Sequence, residues 1–317
     1  MAGVVYLFPG QGSQEIGMGA DFYQKSDKAK GLFDRADAIL GYSLSSLCFN
    51  GPIEELRQTI NTQPALYVAS CAAFSIFEEK SSLEPFAVAG HSVGEYAALY
   101  AAGAMNFETG LRLVRKRAEL MQENAQKQPG AMSAILGLEP AEVKAICEEA
   151  RSAGIIAIAN FNSPGQIVIS GEQIAVEKAG ELAKAHGARK VIPLAVSGGF
   201  HSPLMVSAGD ALYPYLREAV FKQTRCPVVV NVTAEYCSNG VDFAPYLTMQ
   251  VSGSVRWEES MKLLIGDGAD VFVELGSGSV LTGLLKRIDK SAKAFSVTDM
   301  TSLDRTIQSL RAEQVQL

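Results

Sequence analysis

Cysteine is sparse and poorly placed for cross-linking: Cys48, Cys71, Cys147, Cys226 and Cys237 form an odd set of five without a Cys-x-x-Cys pair. That pattern argues against a disulfide framework and against structural zinc, so buried thiols are expected. Long apolar runs are also missing. The best uncharged window, Gln58 to Phe77, is interrupted by Asn61, Gln63 and Pro64, and the apolar part from Ala65 falls short of the roughly 20 residues a spanning helix needs. The start of the chain, Met1 to Tyr6, lacks a basic stretch, an apolar core and a small-residue cleavage site, which makes the cytoplasm the expected address. Basic residues are outnumbered and dispersed, 28 Lys and Arg against 34 Asp and Glu for a net charge of -6. A nucleic-acid surface is therefore not expected.

What is present is an ordinary globular composition, 48% hydrophobic and 20% charged over 317 residues. At about 150 residues per domain this suits one large domain or two unequal ones. Val4 to Phe8, Phe86 to Ala89, Val228 to Val232 and Asp270 to Leu275 are apolar runs of the kind buried on both faces of a parallel sheet. Each ends in polar or glycine residues, and together they predict an α/β fold with one parallel sheet covered by helices. The middle of the chain reads differently. Ala131 to Leu138, Ile155 to Ala159, Gln166 to Ser170 and Lys190 to Val196 read as strands, with helices over Pro140 to Ala150 and Glu172 to His186. That β-α-β-β-α-β order is ferredoxin-like. Turn-rich stretches at Gln128 to Gly130 and Ser197 to Gly199 bound it, so residues 128–197 are expected to be a small domain inserted into a large one formed by 1–127 and 198–317.

Gly90-His91-Ser92-Val93-Gly94 matches the nucleophile elbow G-x-S-x-G. The spacing alone is weak, but a predicted strand stands directly before it and a helix-forming run, Gly94 to Ala102, directly after. A serine nucleophile needs a base, and only three histidines are available. His186 ends a charged helix, where it complements the dipole. His91 adjoins Ser92 on a tight turn and should project away from it. His201 sits between the pliable Gly198-Gly199 and Ser202-Pro203, an N-cap with proline at N1, and is the expected base. On the predicted helix Glu108 to Asn124, Leu111, Val114, Ala118 and Met121 share a face, and Arg117 is the one cation aimed inward among them. A buried guanidinium calls for a carboxylate, either of the chain itself or of a ligand. Gly10-Gln11-Gly12 fails the dinucleotide fingerprint, since Glu15 occupies its third glycine position. It is better used as a source of backbone N–H groups, with Gln11 joining Val93 in an oxyanion hole.

Taken together, Gly10-Gln11-Gly12-Ser13-Gln14, Gly90 to Tyr96, Arg117 with Met121-Gln122, Asn162 to Gln166, Phe200 to Met205 and Val255-Arg256-Trp257 resemble malonyl-coenzyme A:acyl-carrier-protein transacylases, from the first strand to about Gly283. The resemblance implies an α/β-hydrolase-like large domain with the ferredoxin-like insertion. It implies Ser92 as nucleophile, His201 as base, Arg117 as the clamp on a malonyl carboxylate, and the backbone carbonyl of Gln250 as the group orienting His201. Phe200 resembles the malonyl-selective form, and Asn160 and Asn162 are expected to line the site. Ser254, where relatives carry proline, implies a looser loop around Gln250. The substrates implied are malonyl-CoA and an acyl carrier protein, with no metal or cofactor and a monomeric chain acting in fatty acid biosynthesis. Arg189, Lys190, Lys286 and Arg287 are the expected carrier-protein contacts. A trans-acting acyltransferase of a polyketide pathway, a serine hydrolase or thioesterase, and a non-catalytic carrier-binding module are the competing readings.

Overall fold

The computed structural model describes residues 3–196 and 198–314. Met1 and Ala2, the expected domain boundary at residue 197 and the last residues of the large domain lie outside them. Two sheets organise the chain. The larger has the strand order β10-β9-β1-β2-β7-β8, formed by β1 (Gly3–Phe8), β2 (Ala87–Gly90), β7 (Val228–Val229), β8 (Tyr236–Cys237), β9 (Ala269–Leu275) and β10 (Lys293–Val297). β10, β9, β1, β2 and β7 run parallel, with Val5 opposite both Ala87 and Phe272.

The apolar runs are explained by the period of two along each strand. Tyr6, Phe8, Val88 and Val273 feed one core, which holds the Thr59–Ser81 helix, buried without a break from Thr62 to Phe77, and the Phe107–Lys127 helix. Val5, Leu7, Ala87, Ala89 and Phe272 feed the opposite core, closed by the Trp257–Gly266 and Val280–Ile288 helices. Glu274, at the end of β9, is buried against the start of the latter helix and accepts from the backbone N–H groups of Leu281 and Thr282. A carboxylate there satisfies donors that have no partner within the helix.

One strand differs from expectation. The run Val228 to Val232 is a strand only at Val228–Val229. The chain then turns through Ala234, at φ +55°, and returns as β8, which is antiparallel to β7. The sheet is therefore mixed rather than wholly parallel, and the turn buries Asn231 beneath the end of β2 instead of extending a strand.

The smaller sheet comprises β3 (Ala131–Leu136), β4 (Ile156–Ser163), β5 (Gln166–Gly171) and β6 (Lys190–Pro193) in the order β4-β5-β3-β6, all antiparallel. The Pro140–Ala150 and Gln173–Ala185 helices cover one face around Ile135, Ile146, Ile156, Ile169 and Val176. The other face, through Met132, Ala134, Ala159 and Val168, joins the large core. The smaller sheet is tied to the rest of the chain at Val255, just before the Trp257–Gly266 helix: the Val255 N–H donates to the Ala159 carbonyl at 2.8 Å while the Val255 carbonyl accepts from Phe161 at 2.9 Å. The Ser254 hydroxyl donates to the Ile158 carbonyl at 2.6 Å. The looser loop expected around Gln250 is not found, because Gln250 lies in the Gly240–Ser252 helix and Ser254 is itself tied to β4.

Candidate active site

The elbow is enforced by close backbone approach. A Cβ on Gly90 would lie 2.0 Å from the Gly94 backbone, and one on Gly94 would lie 2.2 Å from the Phe8 carbonyl oxygen. Only glycine fits at either position. Between them Ser92 is held at φ +53°, a left-handed conformation that costs a non-glycine residue about 1–3 kcal/mol and must be over-determined by its surroundings. Asn231 supplies that restraint, accepting from the Ser92 N–H at 2.7 Å and donating to the Gly90 carbonyl at 2.7 Å.

His201 approaches from the other side of the site, at φ +57°. Ser202 caps the Pro203–Met205 turn, accepting from the Leu204 N–H and donating to the Gly199 carbonyl, which fixes the strand-to-helix passage as its sequence suggested. The His201 Nε2 lies 2.8 Å from Ser92 Oγ. Its Nδ1 lies 2.8 Å from the Gln250 carbonyl oxygen and 3.1 Å from that of Gly253. Two carbonyls can only accept, so Nδ1 carries the proton and the Nε2 lone pair faces the serine hydroxyl. Burial, reinforced by the charge of Arg117 and only partly offset by the Gln250 carbonyl, pushes the His201 pKa down to about 3. The imidazole is neutral at neutral pH, the state a base requires.

Arg117 is 1% exposed. Its Nη1 donates to Gln63 Oε1 at 2.7 Å, and its Nη2 donates to Gln250 Oε1 at 2.9 Å and to Ser92 Oγ at 3.1 Å. Its Cζ lies over the Tyr96 ring, 5.9 Å from the centroid, and its Nε has no partner among the described residues. Burial lowers its pKa from the ordinary value. No carboxylate of the described residues bonds to it directly; Glu95 reaches it only through the Gln250 side chain. Its Nη2 is aimed at the serine hydroxyl, and its Nε is the donor left unused.

The Gly10 to Ser13 loop is pressed onto the elbow, since a Cβ on Gly10 would lie 2.4 Å from the His91 carbonyl oxygen. Neither the Gln11 nor the Val93 backbone N–H is taken up by a hydrogen bond among the described residues. Gln11 lines a cavity of about 420 Å³ with Arg57, Thr59, Gln122, Ala125 and Val196. A larger cavity of about 930 Å³, lined by Arg112, Lys116, Tyr215 and Lys222, contains none of the expected site residues.

The other expected residues are placed as follows. His91 points away from Ser92, its Nε2 2.9 Å from Asn162 Oδ1 and its ring 5.4 Å from that of Trp257. Asn160 and Asn162 are both buried on β4, and neither hydrogen-bonds to Ser92, His201 or Arg117. Phe200 is buried in the large core next to His201. Arg189, Lys190, Lys286 and Arg287 are exposed. Arg287 bonds to Gln166 on β5, which pairs with Leu136, and Leu136 pairs with Lys190. The register thus gathers Arg287, Arg189 and Lys190 at one end of the small sheet.

Sequence reasoning missed four members. The apolar run makes Asn231 part of a strand, and Gln63 stands out in the sequence only as an interruption of an apolar window. The Gln250 side chain bridges Arg117, the Ser92 carbonyl and Glu95 Oε2, through bonds of 2.9, 2.9 and 2.8 Å. Glu95 itself is wholly buried, and burial pushes its pKa up to about 7. A carboxylate standing directly before an apolar run, Tyr96 to Ala102, is the available signal.

Comparison with known proteins places this arrangement. Residues 5–315 match the acyl transferase domain family. The chain is 45% identical to the malonyl CoA-acyl carrier protein transacylase of Bacillus subtilis, over 99% of both chains. It is 40% identical to the protein of the same name from Escherichia coli, over 97% of this chain and all of the other. Among solved structures it is similar to that of a type II PKS acyl-carrier protein in complex with its malonyl-transacylase, with a TM-score of 0.94 and 40% identity over 97% of this chain and 100% of the other.

Proposed function

This chain belongs to the acyl transferase domain family and, within it, to the malonyl CoA-acyl carrier protein transacylases, and from that membership we propose that it moves a malonyl group from malonyl-CoA to the phosphopantetheine thiol of an acyl carrier protein, for fatty acid synthesis, through an ester on Ser92. His201 Nε2 takes the Ser92 proton as Oγ attacks the thioester carbonyl. The Gln11 and Val93 amides receive the developing oxyanion. The C–S bond breaks, and the coenzyme A sulfur leaves with the proton held on His201. The carrier-protein thiol then gives its proton to His201 and attacks the ester, and Ser92 Oγ recovers the proton as it leaves. The substrates supply all the groups transferred, and the steps call on no metal or redox cofactor.

The observation that carries this reading is the contact of Arg117 Nη2 with Ser92 Oγ at 3.1 Å inside a buried site. It sets a guanidinium beside the nucleophile, where the carboxylate of a malonyl group, and not an acetyl group, would pair with it. The base has a further dependence on that pairing: Arg117 is the second cause of His201's low pKa, so a carboxylate that neutralises the guanidinium raises the basicity of the imidazole as substrate docks. Orientation of His201 by carbonyls instead of an acid distinguishes the site from a hydrolase triad. In the architecture we propose, an α/β-hydrolase-like large domain holds Ser92, His201 and Arg117, and residues 128–197 form a ferredoxin-like insertion. The separate core of the small sheet supports that division. Arg189, Lys190, Lys286 and Arg287 are proposed to meet the carrier protein.

The test is the fate of malonyl-CoA in the absence of carrier protein. A transferase releases about one equivalent of coenzyme A per chain and then stops until carrier protein is added. Continuous release without carrier would assign the site to a hydrolase.

A further inference from the structure

Glu95 takes no part in the steps above, yet it lies one carboxamide away from the guanidinium they require. Its Oε2 accepts from Gln250 Nε2 at 2.8 Å and from the Asn231 N–H at 3.2 Å. The same Gln250 side chain accepts from Arg117 Nη2 on its other edge at 2.9 Å. The order Glu95–Gln250–Arg117 is a charge pair split by a neutral amide. Glu95 Oε1, also buried, has no partner among the described residues.

We propose that Glu95 is the resident counter-charge of Arg117, and that a substrate carboxylate docking on Arg117 displaces it from that role, so that Glu95 takes up a proton from solvent as the carboxylate binds. The inference rests on the assignment of Arg117 as the carboxylate clamp. Two anions cannot both be balanced by one buried guanidinium, because like charges sharing a dry site raise each other's proton affinity. The incoming carboxylate is held by direct bonds, whereas Glu95 acts only through Gln250, and so Glu95 is the one that protonates. Oε2 keeps both of its donors throughout, and Oε1 is free to carry the proton. Burial has already brought Glu95 to a pKa of about 7, with Arg117 among the influences that hold it down, so a modest further push suffices.

The neighbouring titratable groups are not competitors near neutral pH. Burial raises the pKa values of Tyr96 on the same helix, Cys237 on β8, and Tyr67 and Cys71 on the Thr59–Ser81 helix, keeping all four neutral. His201 is neutral for the opposite reason, with its pKa at about 3. Arg117, from the Phe107–Lys127 helix, stays charged. Glu95 is a positioning residue in this account, acting on the substrate through Gln250 and Arg117.

Calorimetric titration of Ser92→Ala protein with malonyl-CoA, in buffers of different ionisation enthalpy, measures the proton uptake directly. A rise of one unit or more from about 7 predicts roughly half a proton or more taken up per malonyl-CoA at pH 7.5. Acetyl-CoA should bind without uptake, and Glu95→Gln in the same background should abolish the uptake with malonyl-CoA. If Glu95→Gln does not fold, the pH series on the protein with Glu95 intact decides: uptake should vanish by pH 5, where Glu95 is already protonated. Malonyl-CoA binding with no uptake at pH 7.5, uptake that survives Glu95→Gln, or uptake undiminished at pH 5 would each overturn the proposal. None of these would touch the clamp assignment, which fails separately if Arg117→Ala binds malonyl-CoA as well as the parent does.

Discussion

Replacing Arg117 by alanine removes the guanidinium in contact with the serine hydroxyl, a group 1% exposed with three hydrogen bonds inside the site. A malonyl carboxylate in that setting loses its pairing in a region that excludes water. Breaking a buried ion pair costs about 3–5 kcal/mol. At 1.36 kcal/mol per tenfold, that is roughly a hundred- to several-thousand-fold in kcat/KM for malonyl-CoA. An acetyl group has no carboxylate, so acetyl transfer never gained that pairing and should change little. The malonyl-to-acetyl preference should therefore fall by nearly the whole factor. The substitution also strands the Oε1 atoms of Gln63 and Gln250, a structural loss that thermal melting registers and that affects both acyl groups alike. Competition between malonyl-CoA and acetyl-CoA for acylation of Ser92, read by mass, is the appropriate assay. If both acylations fall together and the preference stays where it was, the clamp is wrong.

Three further expectations follow from the same geometry. His201 titrates near 3 when folded and near 6.5 in a free chain, so its contribution to stability is complete above pH 6.5 and declines as pH falls toward 3. By pH 4.5 the loss is roughly 2–3 kcal/mol, and denaturant melts of His201→Gln should show a flatter acid limb; an identical limb would refute the neutral, buried imidazole. Gly94→Ala places a methyl 2.2 Å from the Phe8 carbonyl oxygen, and overpacking of this kind typically costs 1–3 kcal/mol or more. A variant with unchanged melting and acylation would show that the elbow is not as tightly closed as described. Reversing Lys286 and Arg287 to glutamate should raise KM for carrier protein while sparing acylation by malonyl-CoA, and equal loss in both half-reactions would remove that helix end from the docking surface.

Much of the site was legible because its backbone demands are extreme. A serine forced to φ +53° between two glycines with no room for a Cβ leaves a local signature, and an arginine on the apolar arc of a helix betrays itself through the period of 3.6. His201 could be found by elimination among three histidines. What stayed hidden is the layer that supports these groups. Gln63, Asn231 and Gln250 are neutral amides on three different elements, and their roles exist only where those elements converge around Arg117 and Ser92. Asn231 was misassigned because valines dominate the preceding run, and the run is then ended by a tertiary turn at Ala234. Glu95 was visible as a residue but not as a buried one, since the helix following the elbow is covered on every side only once the large core closes over it. In the fold, unbroken apolar runs announced burial on both faces of the parallel strands, while the antiparallel two-residue β8 is too short to leave a pattern.

The most direct measurement is the intact mass of the protein after brief exposure to malonyl-CoA without carrier protein, with peptide mapping of any adduct. A single malonyl ester on Ser92, absent from Ser92→Ala and discharged on adding holo carrier protein, is the result predicted. An unmodified protein that still passes malonyl groups to the carrier, or an adduct on another residue, would contradict it.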